Sequence, residues 1–382
     1  MARIFPFAAD AKVYETAAKE LQSGTSPYQA GIARLQVNHA RNSNERTMNY
    51  IYPPVTLPLI KAVGSTPAWL HISAFWLLYG MGIWLVLRTQ ERFFLGDERW
   101  IFFLLSPLCV FFPGLLNDDF LLAGNVAPIL YGIVYAAAVW DWEHRQWKWF
   151  YVAVLFCSIF KLPLLTLLAI PALTATGQLR KVIGTGVVGG AIYSLQGLIW
   201  PQAFAQYRQM MTLEVLDNNQ MGFGPAGLLA RFLIEHNLPY IESFAIAYLA
   251  CAAIIAYLLY AASRQYLAGR ISAPQWFPVL LIGVILLNPR IKQYDAEAVT
   301  LPMAIVAWRL LAERIRSRQR AAVAFFLLFS AGNALAAFAN AWDLTEMLAI
   351  VSLFGLSMCS LLRTSAAAAE AAEAIAVPDA SF

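Results

Sequence analysis

The chain has 382 residues, 60% of them hydrophobic and 13% charged, with a mean hydropathy of +0.58. A soluble core has too little interior to hide that much apolar side chain, so a water-soluble globular domain is excluded and an all-α, polytopic integral membrane protein is expected. The net charge of +4 sits in short loops, which gives no footprint for nucleic acid and leaves membrane orientation as the main use of the basic residues.

The chain opens on a polar segment that runs from Asp10-Ala-Lys-Val-Tyr14 through Ser26-Pro27-Tyr28 to Tyr50-Ile-Tyr52-Pro53-Pro54. Val13 to Leu21 suggests a helix that Asp10 would cap, and Pro53-Pro54 suits an extended lead into another. Residues 1–67 are therefore read as an external loop with an interfacial helix. Such a segment needs a route across the bilayer, and Ile4 to Ala9 is far too short to span, so a first membrane helix is expected to precede it.

Membrane helices are predicted near 68–88, 100–116, 120–140, 150–172, 182–200, 244–263, 276–288, 297–311, 321–340 and 344–362, about 10 to 11 with half-helices counted. Together they make 68–363 a single transmembrane domain. Basic residues sort the loops between them: Arg88, Arg92 and Arg99, then Arg145 and Lys148, then Arg264 and Arg270, then Arg309, Arg314, Arg316, Arg318 and Arg320 should be cytoplasmic. The opening segment, Asn117-Asp118-Asp119, the loop over 201–243 and the stretch from Asn288 to Glu297 then face outward.

Arg180 and Lys181 break this alternation if 150–172 crosses once. Lys161-Leu-Pro163 offers a repair, because proline removes a backbone donor and a buried lysine needs a polar cavity, so two half-helices could meet there. A proline kink with a snorkelling lysine is the other reading. In the long external loop, Gln202 to Leu216 places Phe204, Tyr207, Met210, Met211 and Leu213 at near-helical spacing, as an interfacial helix would. Asp217 with the amides of Asn218-Asn219-Gln220 and a helix over Gly227 to Ile234 follow. Residues 364–382 are alanine-rich and read as a disordered cytoplasmic tail. Cys109, Cys157, Cys251 and Cys359 each fall inside an apolar run without CxxC spacing, which suits packing and indicates neither disulfide nor zinc.

The outward face thus gathers Asp10, Tyr14, Tyr28, Tyr52, Asp118, Asp119, Asn125, Asn218, Asn219, Gln220, Asn288, Arg290, Lys292, Tyr294 and Asp295. Aspartate suits proton abstraction from a hydroxyl, arginine and lysine suit a phosphate, and tyrosine and amide side chains suit sugar faces and hydroxyls. Each residue also has a plain structural role open to it. Asp10 and Asp118-Asp119 could be helix caps, and Asn288-Pro289-Arg290 an ordinary turn. Asp118-Asp119 also competes for the base role or for a divalent cation, although adjacent carboxylates diverge on a helix, and no metal ligand set is assigned.

Asp10-x-x-Val-Tyr14-x-x-Ala17 with Gly24-x-Ser-Pro27-Tyr28 and Tyr52-Pro53-Pro54 resembles the first external loop of glycosyltransferase family 87, in the GT-C superfamily. Leu122-Ala-Gly124-Asn125, Phe160-Lys161-Leu-Pro163, and Asn288-Pro289-Arg290-x-Lys292-x-Tyr294-Asp295 with Leu301-Pro302 are similar to later segments of that family, in the same order over residues 10 to 312. The resemblance implies an inverting, multi-pass enzyme of the plasma (inner) membrane with its active site on the extracytoplasmic side. It would move a hexose or pentose from a polyprenyl-phosphate sugar to a lipid or glycan acceptor. Asp10 would be the general base, Lys161, Arg290 and Lys292 would hold the donor phosphate, and Tyr14, Tyr28, Asp118, Asp119, Asn125, Tyr294 and Asp295 would contact substrate. Beyond the donor no cofactor is assigned, and a divalent cation stays open. A flippase or transporter for lipid-linked sugars is the rival class, and it would carry internal repeats and broken helices in both halves. A lipid-linked glycan ligase or polymerase is the rival enzyme, and it would want a large late external loop where this chain has only Asn288 to Glu297.

Overall fold

The computed structural model describes residues 9–40, 49–111, 124–216, 222, 224–339 and 342–376, and all regular structure among them is helical. In chain order the α-helices are α1 (Ala9–Gln22), α2 (Pro27–Ala40), α3 (Leu57–Gly64), α4 (Ala68–Gln90), α5 (Arg99–Phe111), α6 (Ala127–Glu143), α7 (Lys148–Phe160), α8 (Ala169–Thr174) and α9 (Leu179–Ile199). They continue with α10 (Pro201–Leu216), α11 (Pro225–Glu235), α12 (Tyr240–Leu267), α13 (Ala273–Leu286), α14 (Gln293–Ala296), α15 (Thr300–Arg314), α16 (Arg318–Ala339) and α17 (Trp342–Ala376).

Among the described residues, four stretches are long and apolar enough to cross a membrane: Ala68–Phe93, Leu179–Ile199, Ile241–Leu267 and Leu344–Arg363. Their length and composition are compatible with a membrane-embedded protein. Helix also occupies the other predicted apolar runs where they are described, but α7, α13 and α15 have 13, 14 and 15 residues. A perpendicular crossing takes roughly 20.

Two elements differ from the sequence expectation, and a third, the run 150–172, takes the interrupted form that Lys161-Leu-Pro163 suggested. The run 150–172 is broken: α7 stops at Phe160, Lys161 is extended (φ −141°, ψ 90°), and a 3-10 stretch, Leu162–Leu168, leads to α8. Pro163 has no N–H for the Ile159 carbonyl, so the α-helical ladder cannot pass it. The opening segment holds two helices where one was expected. Gly24, at φ +78°, takes the left-handed conformation that ends α1, with Thr25 N–H reaching Glu20 O (2.9 Å) and Gly24 N–H reaching Leu21 O (3.3 Å). Pro27 then starts α2 at a position where its missing N–H costs nothing. At the far end, α17 runs to Ala376 through the stretch read as a loose tail, consistent with alanine having the highest helix propensity.

The chain divides into two compact units. The first comprises Met1–Thr89, Asp119–Leu168 and Arg180–Gly222. Its core beside α1 and α2 contains Ala17, Tyr28, Ile32, Leu35, Tyr50, Tyr207 and Met210. Tyr207 and Met210 belong to α10, so the apolar face read as meeting lipid is taken up here by protein. Polar pairs fix the same packing. Ser26 Oγ donates to Gln206 Oε1 (2.6 Å), Asn49 Nδ2 to Glu214 Oε2 (3.2 Å), and Arg34 Nε to Asn49 Oδ1 (3.2 Å).

In the same unit α4 and α6 cross closely through Gly82 and Gly132. A Cβ at Gly82 would lie 2.6 Å from Ile129 Cα and 2.7 Å from Pro128 O, and one at Gly132 would lie 2.6 Å from Gly82 O. Small residues allow such an approach between apolar helices.

The second unit comprises Gln90–Asp118, Ala169–Leu179 and Phe223–Phe382. Its centre is α13, buried from Pro278 to Leu286, with Gly283 against Leu259 of α12 and Phe354 of α17. Arg309 of α15 closes one end of this unit. Its guanidinium grips Glu98 through two bonds (2.9 and 2.7 Å) and donates to Phe93 O (2.8 Å) and Pro274 O (2.6 Å). Arg318 pairs with Asp97 at 2.7 Å. Two arginines of the predicted cytoplasmic loops thus brace the Phe93–Glu98 turn.

The glycine crossing sets a direct comparison. Gly82→Ala should destabilise the folded protein by about 1–3 kcal/mol, because a backbone must move. Gly80→Ala, which meets nothing within 4 Å, should be neutral or stabilise by up to about 1 kcal/mol. Thermal unfolding of the two purified variants in detergent measures the difference.

Candidate functional site

The start of α6 is where the predicted site residues of the first unit meet. A helix start leaves N–H groups without intrahelical acceptors, and in an apolar setting each needs one. Val126 N–H donates to the Tyr14 hydroxyl (3.1 Å) and Ala127 N–H to Asn125 Oδ1 (2.9 Å). The next residue, Pro128, has no N–H to satisfy. Gly124, at φ +74°, makes the turn before them. A Cβ there would sit 3.1 Å from Ala11 and 3.2 Å from Trp76, so glycine also allows α1 to approach.

Asn125 uses its other end on α1, where its Nδ2 donates to Asp10 Oδ2 at 2.7 Å. Asp10 lies in the first turn of α1, and its carboxylate reaches an amide 115 residues away rather than only its own helix. The positive end of the α6 dipole favours a carboxylate at this place. Asn125 itself is buried, at 6% exposure.

Tyrosines continue the arrangement away from α6. The Tyr14 and Tyr52 hydroxyls share a hydrogen bond of 2.7 Å, and the Tyr28 hydroxyl donates to Tyr52 O at 2.6 Å. Ring centroids follow at 5.4 Å (Tyr14 to Tyr52), 5.5 Å (Tyr52 to Tyr50), 5.9 Å (Tyr50 to Tyr28) and 5.8 Å (Tyr28 to Tyr207). Burial holds the Tyr28 and Tyr50 phenols well above their ordinary range. Tyr28 was expected to contact substrate, but it is fully buried. In this structure its ring packs in the core beside α1 and α2.

Lys161 sits at the break after α7, with Nζ 5.9 Å from the centre of the Tyr131 ring. Tyr131 lies about one turn into α6 from Ala127. The first unit therefore collects Asp10, Tyr14, Tyr52, Asn125 and Lys161 around the first turns of one helix. Gln196 was not picked out from the sequence, yet it accepts Val55 N–H on Oε1 (3.0 Å) and is 2% exposed. A lone amide inside the apolar α9 run was the available signal.

Arg290, Lys292, Tyr294 and Asp295 belong to the second unit. There Asn288 Oδ1 accepts Arg290 N–H (3.0 Å) and Asp295 Oδ2 accepts Lys292 N–H (3.1 Å), so both side chains fold back on their own loop. Asn288 and Asp295 are 3% and 0% exposed. Asp295, expected among the substrate contacts, braces the turn. Asp118 and Asp119 lie outside the described residues, as do Asn218, Asn219 and Gln220. Among the described residues no group of three or more His, Cys, Asp or Glu side chains gathers as a metal ligand set.

Comparison with known protein families, with curated proteins and with solved structures gives no match.

Two measurements follow from this geometry. Asn125→Ala removes both the α6 capping acceptor and the Asp10 contact and should cost about 1–2 kcal/mol, read as a lowered unfolding midpoint in denaturant. Tyr28 and Tyr50 hold their protons more tightly when folded than in the unfolded chain, whose ordinary value is 10.0. Their contribution to stability is complete below that value and is lost as the pH rises above it. Tyrosinate absorbance followed alongside circular dichroism should show these two phenols ionising only as the structure opens.

Proposed function

We propose that the chain is a GT-C-type membrane glycosyltransferase, resembling glycosyltransferase family 87, that uses a polyprenyl-phosphate sugar on the extracytoplasmic side of the plasma membrane. In this reading the apolar helices make about 10 to 11 crossings, half-helices included, the shorter ones tilted or paired. The observation that supports it most is the Asp10–Asn125 contact at the start of α6, with Lys161 reaching the same helix one turn further along.

An acceptor hydroxyl is a weak nucleophile. Asp10 takes its proton while the oxygen attacks the anomeric carbon from the face opposite the phosphate. The carbon–oxygen bond to phosphate breaks, its electron pair leaves with the polyprenyl phosphate, and the sugar inverts. Asn125 orients the carboxylate by donating to one of its oxygens. Lys161 meets the charge that develops on the departing phosphate, in surroundings poor in water where one cation counts for much. Within the first unit the phosphate-binding role falls to Lys161. Hexose or pentose donors and lipid or glycan acceptors all fit this chemistry.

A positioned general base is worth typically 10²–10⁴-fold in rate. Asp10→Asn should therefore reduce transfer by at least two orders of magnitude while the protein stays folded in the membrane. The assay is transfer of radiolabelled sugar from a panel of polyprenyl-phosphate donors in membranes carrying the wild type or the variant. Full activity in the variant would remove Asp10 as base and pass the role to Asp118 or Asp119.

A further inference from the structure

We propose that the C-terminal end of α12 binds the phosphate ester of an anionic membrane lipid. A cavity of about 520 Å³ opens there, lined by Tyr257, Tyr260, Arg264, Gln265 and Arg270 with Leu362 of α17, all within the second unit. That volume lies within the range of about 300–1,000 Å³ usual for small-molecule sites. Two arginines line it and no carboxylate does.

The backbone brings the two cations together. Gly269 adopts φ +73°, Gly269 N–H bonds Tyr266 O (2.9 Å) and Arg270 N–H bonds Gln265 O (2.9 Å). This pair of bonds is the Schellman helix end, and it folds the chain back so that Arg270 returns toward the last turn. Arg270 Nη1 then donates to Gln265 Oε1 at 3.0 Å, which holds one guanidinium in place. The Arg264 guanidinium has no hydrogen-bond or ion-pair partner among the described residues. The helix end contributes about half a negative charge against two full positive ones, so the cavity favours an anion.

The position selects a lipid. Ile241–Leu267 is one of the stretches apolar and long enough to cross a membrane, and the cavity sits at its end. Leu249 and Ile254 on the same helix are 66% and 63% exposed, and Tyr257 and Tyr260 are 71% and 57% exposed. Tyrosine rings with a polar tip settle at headgroup level, and paired guanidiniums match phosphate oxygens.

The test titrates the full-length protein in neutral detergent with phosphatidylglycerol, phosphatidylcholine or inorganic phosphate and reads bound lipid by native mass spectrometry. Phosphatidylglycerol should be retained in preference to phosphatidylcholine. Each arginine near a charged lipid contributes roughly fivefold, so R264A/R270A should weaken that binding on the order of 30-fold. R316A/R320A, which removes two basic residues that do not line the cavity, should leave it unchanged. The single R264Q change at an exposed position should weaken binding about fivefold and serves if the double variant fails to fold. Equal loss in R316A/R320A, equal retention of phosphatidylcholine, or unchanged binding in R264Q would overturn the site. Displacement of the lipid by inorganic phosphate at millimolar concentration would overturn the lipid assignment in favour of a soluble phosphate.

Discussion

The start of α6 places a requirement on everything around it in the first unit. Two backbone N–H groups, those of Val126 and Ala127, need acceptors in a region where water is scarce, and leaving one unmade costs about 1–3 kcal/mol. Asn125 answers one and Tyr14 the other. Because Tyr14 is on α1, satisfying α6 also fixes how α1 lies against it. Asn125 has a second end, and with α1 in that place the residue it meets is Asp10. The position of the carboxylate is therefore a consequence of helix capping in a distant segment.

The tyrosine cluster carries this constraint outward. Tyr14 is tied to Tyr52, Tyr52 to Tyr28, and Tyr28 packs on Tyr207 of α10. The Tyr14, Tyr52 and Tyr28 hydroxyls are hydrogen-bonded, as buried phenols need, and each ring supplies apolar area between the helices. The first unit thus holds its opening segment by aromatic packing with hydrogen-bonded tips, which explains why so polar a sequence folds beside apolar helices.

What could be read from the sequence was local. Pro163 breaks a helix by its own covalent structure, so the interruption at Lys161 was visible in the residues. Gly24 and Gly124 marked turns for a similar reason, since both take positive φ. Partners were not visible. Phe204, Tyr207 and Met210 give the same spacing whether the face they form meets lipid or α2, and only the fold shows that Tyr207 and Met210 are buried in a protein core. Arg309 read as one basic residue among several in a loop, because nothing in its neighbours announces Glu98, 211 positions earlier. Tyr28 and Asp295 stood out by residue type, while their burial followed from packing that residue type does not announce. The alanine tail failed in the opposite direction: low complexity suggested disorder, while the propensity of alanine itself favours the helix observed.

The location of Lys161 follows from α6 and α7 acting as an antiparallel pair. Asp141, near the end of α6, accepts Phe150 N–H on Oδ2 at 2.8 Å and so fixes where α7 begins relative to α6. From that tie Tyr131 lies ten residues back along α6 and Phe160, the last residue of α7 before Lys161, ten residues on, or about 15 Å each way at the helical rise of roughly 1.5 Å per residue. The two distances agree, which brings the lysine over the Tyr131 ring, as observed. A further contact of Cys157 Sγ with Leu130 O at 3.7 Å lies on the same seam. The glycine crossing at Gly82 and Gly132 holds α6 at that level against α4. One helix therefore sets both charges: its capped start fixes Asp10, and its hairpin register with α7 fixes Lys161 about a turn away. Moving the Pro163 break by a residue or two would swing the lysine around α7 and off the Tyr131 ring, since each residue of a helix turns the side chain by about 100°.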